Sequence, residues 1–296
     1  MIIYNLHDDM VEDFFASARE RYRMMLRRRA GQASTKDPIL GQWFFSNVFR
    51  EDDTTTRWIK AAVREPLRND PRVMVAMMIC RLFNRVETLE VLKNSGVLHD
   101  WCAPSAREVL RDTQPTMGGA YRVRTPEGMN KLDGILKIIE DNRHAMFDMA
   151  TRMVPGQSTM EATWSSLSCL PFLARVVSYE VVSDLRHTYM LEQAPDICTW
   201  AAPTAGVSSG MSWLVARDPS FFHKELGKKA HQGILGSMLR LLAMSCYDEL
   251  WPRSWPSWEM RDLAHWLTQY GAYCKAKHQN KTLHRRYPVG KHKRKC

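Results

Sequence analysis

The chain has 296 residues, 45% of them apolar and 25% charged, so it can bury a sizeable core as one large domain or two small ones. Its formal charge of +10 is uneven, because nine Lys or Arg and no acid lie from Lys275 to Cys296 and the body is close to neutral. There is no apolar run of about twenty residues free of charge and no basic-then-apolar opening, so neither a membrane span nor a signal peptide is expected and the protein should be soluble and cytoplasmic.

The elements read almost entirely as helices. Val11, Phe14, Phe15, Ala18, Tyr22, Met25 and Leu26 recur on one helix face after Asp8 or Asp9 as cap, and this helix ends near Gly31. It carries a basic cluster of Arg19, Arg21, Arg23, Arg27, Arg28 and Arg29. Helices are predicted over 54–63, stopping before Pro66, over 71–91 as one long apolar segment, and over a short piece within 100–115. Further helices are predicted over 130–153, 158–170, 171–191, 196–202, 208–216, 230–250 and 258–277; residues 121–125 are the best strand candidate. The chain therefore divides into a basic N-terminal helix (1–36), a helical body (37–274) and a basic tail (275–296).

The seven cysteines show no Cys-x-x-Cys pair and no close Cys/His grouping, so neither a zinc site nor a disulfide framework is expected. Gly-x-x-x-x-Gly-Lys-Ser/Thr, Gly-x-Ser-x-Gly, His-Glu-x-x-His and the dinucleotide glycine fingerprint do not occur. The stretch 37–58 threads Asn47, Arg50, Glu51, Asp52, Asp53 and Arg57 through Trp43, Phe44, Phe45, Val48 and Phe49. A charge drawn inward with such aromatics needs a partner or a ligand. The plainer reading is a loop and an amphipathic helix whose exposed pairs contribute roughly 0.2 to 1 kcal/mol each. A second informative region runs from Leu170 to Trp200. Glu180 and Asp184, four apart, share a helix face with Arg175 near its start, and paired carboxylates can divide into an ionised base and a group with a raised pKa.

Pro38-Ile39-Leu40, Asn47-Val48-Phe49-Arg50-Glu51, Asp53 and Arg57-Trp58-Ile59 together resemble the opening signature of the phage DNA base hypermodification proteins. These are the amino acid:DNA transferases, or alpha-glutamyl/putrescinyl thymine pyrophosphorylases, related to the helical domain of 5-hydroxymethyluracil DNA kinases. The resemblance continues through Arg81-Leu82-Phe83-Asn84, Gly118-Gly119-Ala120-Tyr121, Leu170-Pro171, Tyr179-Glu180, Asp184-Leu185-Arg186, Asp196, Trp200 and the ending around Lys275, Arg285, Arg286 and Tyr287, so it covers about 37–287. A more distant similarity is to helix-hairpin-helix DNA glycosylases, in which a Leu-Pro-Gly-x-Gly turn grips a phosphate and an Asp some two dozen residues later does the chemistry. Asp196 falls 26 residues after Leu170, but Phe172-Leu173-Ala174 replaces the glycines, and Gln269 stands where relatives tend to have Glu.

The resemblance implies an all-α protein of two helical lobes around a cleft, glycosylase-like, with a basic C-terminal tail. It also implies an enzyme of the phage-infected host's cytoplasm that acts on an already phosphorylated base. An amino acid or polyamine would displace pyrophosphate from 5-(pyrophosphoryloxymethyl)uracil in double-stranded DNA. Reaching the base means flipping it out, at a few kcal/mol; the amine needs a base, and the leaving pyrophosphate needs cations. Asp196 or Asp184 is the expected base, tuned by Glu180. Arg50, Arg57 and Arg81 are the expected pyrophosphate ligands, with Glu51 to orient them or bind a metal, and Asn47 and Asn84 to hydrogen-bond base or substrate. Trp43, Phe45 or Tyr121 would stack on the uracil, and Lys275, Arg285, Arg286 and Tyr287 would hold the DNA backbone. No protein-held metal is assigned, although Asp52 and Asp53 could hold Mg2+ with the pyrophosphate or pair with Arg57. A thiolate from Cys80 or Cys198 adding to the ring is a minor variant. The rival readings are a DNA glycosylase acting on a modified pyrimidine and a non-catalytic DNA-binding module.

Overall fold

A computed structural model describes residues 2–33, 35–119, 123–224, 227–283 and 285–286. It is all-α: the regular elements are helices, and the strand-like pairing among the described residues is an isolated antiparallel bridge between Trp43 and Arg286. In chain order the helices are α1 (Asp8–Arg29), α2 (Pro38–Gln42), α3 (Thr54–Ile59), α4 (Arg72–Phe83), α5 (Val86–Asn94), α6 (Ala103–Val109), α7 (Lys131–Thr151), α8 (Met160–Ser168), α9 (Arg175–Leu185), α10 (Ala205–Ala216), α11 (Phe221–Lys224), α12 (Lys228–Met244) and α13 (Met260–Gln279). A short 3-10 turn covers Arg50–Asp52, and a π-turn, Lys60–Arg64, continues α3. The described chain forms two compact units, one from Met1–Asp53 with Pro203–Cys296 and the other Thr54–Ala202. The divisions expected after residues 36 and 274 both fall inside the first unit.

In the first unit α10 and α13 lie almost backbone to backbone. A Cβ on Gly210 would sit 2.1 Å from the Leu267 carbonyl oxygen, and one on Gly206 would strike the Thr268 side chain. Small residues on α10 thus permit an approach that any larger side chain would force apart. The apolar stripe of α1 faces the same core: Phe14, Phe15, Ala18 and Met24 have no solvent exposure. Phe14 packs edge-on against Tyr270, whose hydroxyl donates to the Met10 carbonyl at 3.1 Å. Trp43, Phe45, Val48 and Phe49 are buried here as well.

In the second unit α4 is the central helix, with every residue from Ala76 to Phe83 buried; α7 and α9 pack on it. The single helix expected over 71–91 is broken at Asn84, which adopts φ 45° and ψ 41° and ends α4. Asn tolerates this left-handed conformation, and Gly118 fits against its carbonyl, where a Cβ would lie 2.1 Å from the oxygen. The expected 171–191 helix starts only at Arg175, because residues 171–174 make a turn with Phe172 at φ 61°. The helix expected over 196–202 is replaced by turns closed by Asp196. Val123 to Thr125 carry no strand, and the rest of that candidate, with Tyr121, lies outside the described residues, as does Tyr287.

Candidate functional site

The second unit holds a buried charge cluster assembled from three helical segments. Arg81, in the last turn of α4, grips Asp184 of α9 with two bonds, Nε to Oδ2 at 2.6 Å and Nη2 to Oδ1 at 2.7 Å. Arg64, at the end of the π-turn, brings Nη1 to 3.7 Å from Asp184 Oδ1. Arg81 Nη2 also donates to Thr56 Oγ1 at 3.1 Å, and Nη1 reaches Asn84 Oδ1 at 3.4 Å. Asp184 and Arg64 are fully buried. Arg81, Asn84 and Asp184 thus lie together, with Asp184 holding guanidinium groups by both oxygens. Such a carboxylate fixes arginines rather than abstracting a proton from an amine.

Asp196 is engaged in a different way. Its Oδ1 accepts from Met160 N and its Oδ2 from Glu161 N, both at 2.9 Å. It thereby satisfies backbone donors at the start of α8, where the helix dipole favours an anion. The two bonds fix the orientation of the carboxylate and leave one lone-pair direction on each oxygen. Glu180, four residues before Asp184, is only half-buried. At the turn after Leu170, Phe172 stands at positive φ with 44% exposure, and Leu173 N is used within the turn, donating to Leu170 O. Asn142 of α7 steadies the turn by donating to the Pro171 carbonyl at 3.0 Å.

An open basin of about 580 Å3 in the same unit is lined by Lys60, Glu65, Arg68, Arg186, His187, Glu192 and Gln193. Lys60 and Arg64 bound the π-turn, and Arg186 and His187 follow Asp184 after Leu185, so the basin and the buried cluster share their supporting segments. Arg68 pairs with Glu192, whose carbonyl accepts from Arg186 Nη1 at 3.2 Å. This concentration of cationic side chains suits a phosphorylated ligand. Sequence reasoning missed Lys60, Arg64, Arg68 and His187. The π-turn that aims the first two has no spacing signature, although Arg186-His187 stood beside a residue already singled out. Arg57 is exposed on α3.

In the first unit the opening signature closes on itself. Asn47 N donates to Asp53 Oδ1 at 2.9 Å, Asn47 Nδ2 donates to Asp52 O at 2.9 Å, and the Asn47 carbonyl meets His265 Nε2 at 3.1 Å. Facing a carbonyl, that ring nitrogen must carry the hydrogen. It also lies 3.5 Å from Asp53 Oδ2. Burial pushes the Asp53 carboxyl above its ordinary value, against the opposing pull of His265, the Asn47 N–H, Arg21 and Arg50. Asp52 pairs with Arg29 at 2.8 Å, and Glu51 lies 3.6 Å from Arg261. Asn47 is thus occupied in shaping this loop, and Trp43 and Phe45 are core residues rather than stacking platforms.

Arg261 is itself buried and faces three carboxylates: Glu259 at 2.8 Å, Glu51 at 3.6 Å and Asp262 at 3.9 Å. Burial raises the Asp262 carboxyl, while the acids around Arg261 outweigh its burial and raise the guanidinium further. The basic tail returns to this same region. Phe44 N donates to Arg285 O at 2.9 Å, and the Arg285 guanidinium sits 4.0 Å above the Phe44 ring. Arg285 and Arg286 remain exposed and Lys275 half-exposed.

The cysteines need two corrections. Cys80 is fully buried and its thiol is raised by burial, which removes it as a nucleophile. The absence of a close Cys/His grouping also does not hold, since Cys274 and His278 stand one turn apart on α13 beside Asp13.

A family model described as 5-hmdU DNA kinase, helical domain, matches residues 8–282, and the chain belongs to that family. It is thus tied to base hypermodification of the 5-hmdU kind through an all-α domain. No curated protein and no solved structure matches the chain significantly. Among the described residues no helix is long and apolar enough to cross a membrane.

Proposed function

We propose that the chain is a DNA-recognition protein of thymine hypermodification, one that holds duplex DNA carrying a 5-hydroxymethyluracil-type base without itself cleaving a covalent bond. The observation that carries this reading is the contrast between acids and bases. Asp184 and Asp196 have both carboxylate oxygens committed inside the fold, whereas Arg285, Arg286 and Lys275 present cations at the surface. Phosphate contacts by such cations release counterions, so binding should weaken steeply with salt. The glycosylase reading is weakened at the turn after Leu170, where Phe172-Leu173-Ala174 replaces the glycines and Leu173 N is spent on Leu170 O.

A second reading, the amino acid:DNA transferase, is favoured by the cationic basin. In it Lys60, Arg68, Arg186 and His187 seat a pyrophosphate, while Asp184 positions Arg81 at the edge of the same segments. The amine nitrogen bonds to the 5-methylene carbon, the carbon–oxygen bond to pyrophosphate breaks with its electron pair on the leaving oxygen, and the nitrogen gives up its proton to a base such as His187.

One experiment separates the readings. Duplexes bearing thymine, 5-hydroxymethyluracil or its pyrophosphorylated form are titrated by anisotropy at two salt concentrations, then incubated with mixed amino acids and polyamines and digested for mass spectrometry. Tighter binding to the modified duplex with unchanged nucleosides supports the recognition protein. A new amine-bearing nucleoside with pyrophosphate release supports the transferase, and an abasic site the glycosylase. Equal, salt-insensitive binding to all duplexes with no product would sink all three.

A further inference from the structure

We propose that Asp13, Cys274 and His278 form a binding site for one divalent metal ion of borderline softness, zinc first among them. The three residues come from two helices of the first unit. Cys274 and His278 are four apart on α13, so their side chains rise from the same face one turn from each other. Asp13 is supplied by α1, which is tied to α13 through the bonds from Tyr270 to Met10 and from Trp266 Nε1 to Phe14 O, the latter at 3.4 Å. One ligand atom from each residue, a thiol sulfur, a ring nitrogen and a carboxylate oxygen, lies within 4.8 Å of the other two. Tetrahedral zinc bonds of about 2.0 to 2.3 Å place neighbouring donors about 3.5 Å apart, so small side-chain rotations close the set.

The surroundings hold these ligands in place. Tyr270 OH lies 3.2 Å from Asp13 Oδ2 and also bonds the Cys274 thiol, and Lys277 pairs with Asp13 Oδ1. A carboxylate offers about four lone-pair directions, so Asp13 can keep both contacts and still bind an ion. The His278 ring lies against Trp213, with centroids 5.4 Å apart and planes 31° from each other. Partners that orient ligands in this way are a regular part of metal sites. Cys274 is buried while His278 is exposed, which gives the ion a path from solvent and leaves water as a fourth ligand. On binding, the Cys274 S–H proton passes to solvent and the thiolate sulfur donates its electron pair to the ion; no oxidation is involved.

The plainer alternative is a hydrogen-bonded cluster completed by the Lys277–Asp13 pair. The two differ in what the full-length protein retains. The chain is purified without a polyhistidine tag, stripped with chelator, loaded with zinc or cobalt(II) and passed through gel filtration. The proposal expects one metal ion per chain and, with cobalt, a thiolate-to-metal charge-transfer band together with the visible absorption of tetrahedral coordination. It expects His278→Gln, at an exposed position that should not disturb folding, and Cys274→Ser each to lower metal retention at least tenfold and abolish the band. Cys198→Ser, at an exposed cysteine elsewhere, should leave both intact. Zinc should also raise the thermal midpoint of the parent protein and not that of His278→Gln. Wild-type protein that retains less than about a tenth of an equivalent, or a band that survives His278→Gln, overturns the site.

Discussion

The two buried charge clusters are built in opposite senses. In the second unit one carboxylate, Asp184, is flanked by two guanidiniums, Arg81 and Arg64. In the first unit one guanidinium, Arg261, is flanked by three carboxylates, Glu259, Glu51 and Asp262. An excess of buried acid can be relieved by taking up a proton, and the raised Asp262 carboxyl points that way. A guanidinium cannot be neutralised in the same manner. The phosphate proposed for the basin beside Asp184 would therefore add an anion next to groups that stay cationic at any ordinary pH.

The largest effect is expected from Asp184→Asn, which leaves Arg81 and Arg64 buried without their carboxylate. A loss of about 3 to 5 kcal/mol in urea unfolding is expected, and a loss below about 1 would show that the arginines find another counter-ion. Arg261→Met should cost less, about 1 to 3 kcal/mol, because protonation of Asp262 softens the repulsion. The comparison predicts that this variant recovers stability towards acid pH, whereas Asp184→Asn does not; equal recovery in both would remove the distinction.

Asp196→Ala tests a third way of holding a carboxylate, by backbone N–H groups alone. By analogy with helix caps it should lose about 1 kcal/mol. Retention of duplex binding together with this loss would mark Asp196 as structural, and a large loss of a transfer product with little loss of stability would restore it as a base.

The smallest effect concerns Asp53. Because burial raises its carboxyl, the folded protein keeps a proton that the unfolded chain has already released at the ordinary carboxylate value. Stability from this group is therefore highest in acid, falls as pH rises through the interval between the ordinary and raised values, and is level above it. Unfolding free energies of parent and Asp53→Asn from about pH 3 to pH 7 should differ by an amount that shifts in favour of the variant as pH rises. A constant difference would mean that His265 and Arg50 already offset the burial.

Much of the helical framework was legible because apolar periodicity survives averaging along a helix: α1, α7, α8 and α13 lie close to their predicted spans. The missed features are local backbone events. Asn84 in the left-handed region interrupts a pattern that reads as continuous with no Gly or Pro at the break, while Pro171 and Pro195 read as helix starts and instead stand in the turn before α9 and beside the turns at Asp196. For the site, motif order singled out Arg81, Asn84 and Asp184, which the structure places in contact. It could not tell a base from a counter-ion, since that depends on which groups reach each oxygen. Asn47 illustrates the same limit: its backbone and side chain are used in closing a loop, and nothing in the sequence distinguishes that duty from substrate contact. The tail's cations were plain from composition, while its return along Trp43 and Phe44 needed the structure.

The π-turn at Lys60–Arg64 sets the phase of everything that follows it. One residue fewer there would give ordinary α geometry, and each residue counts for about 100° of rotation around the helix axis. Deleting Ala61 would therefore remove the extra residue and re-aim Arg64 relative to Lys60 without altering any charged side chain. The cluster's composition would be unchanged and its aim lost, so the length of one turn, rather than the identity of its residues, decides whether Asp184 meets its second arginine.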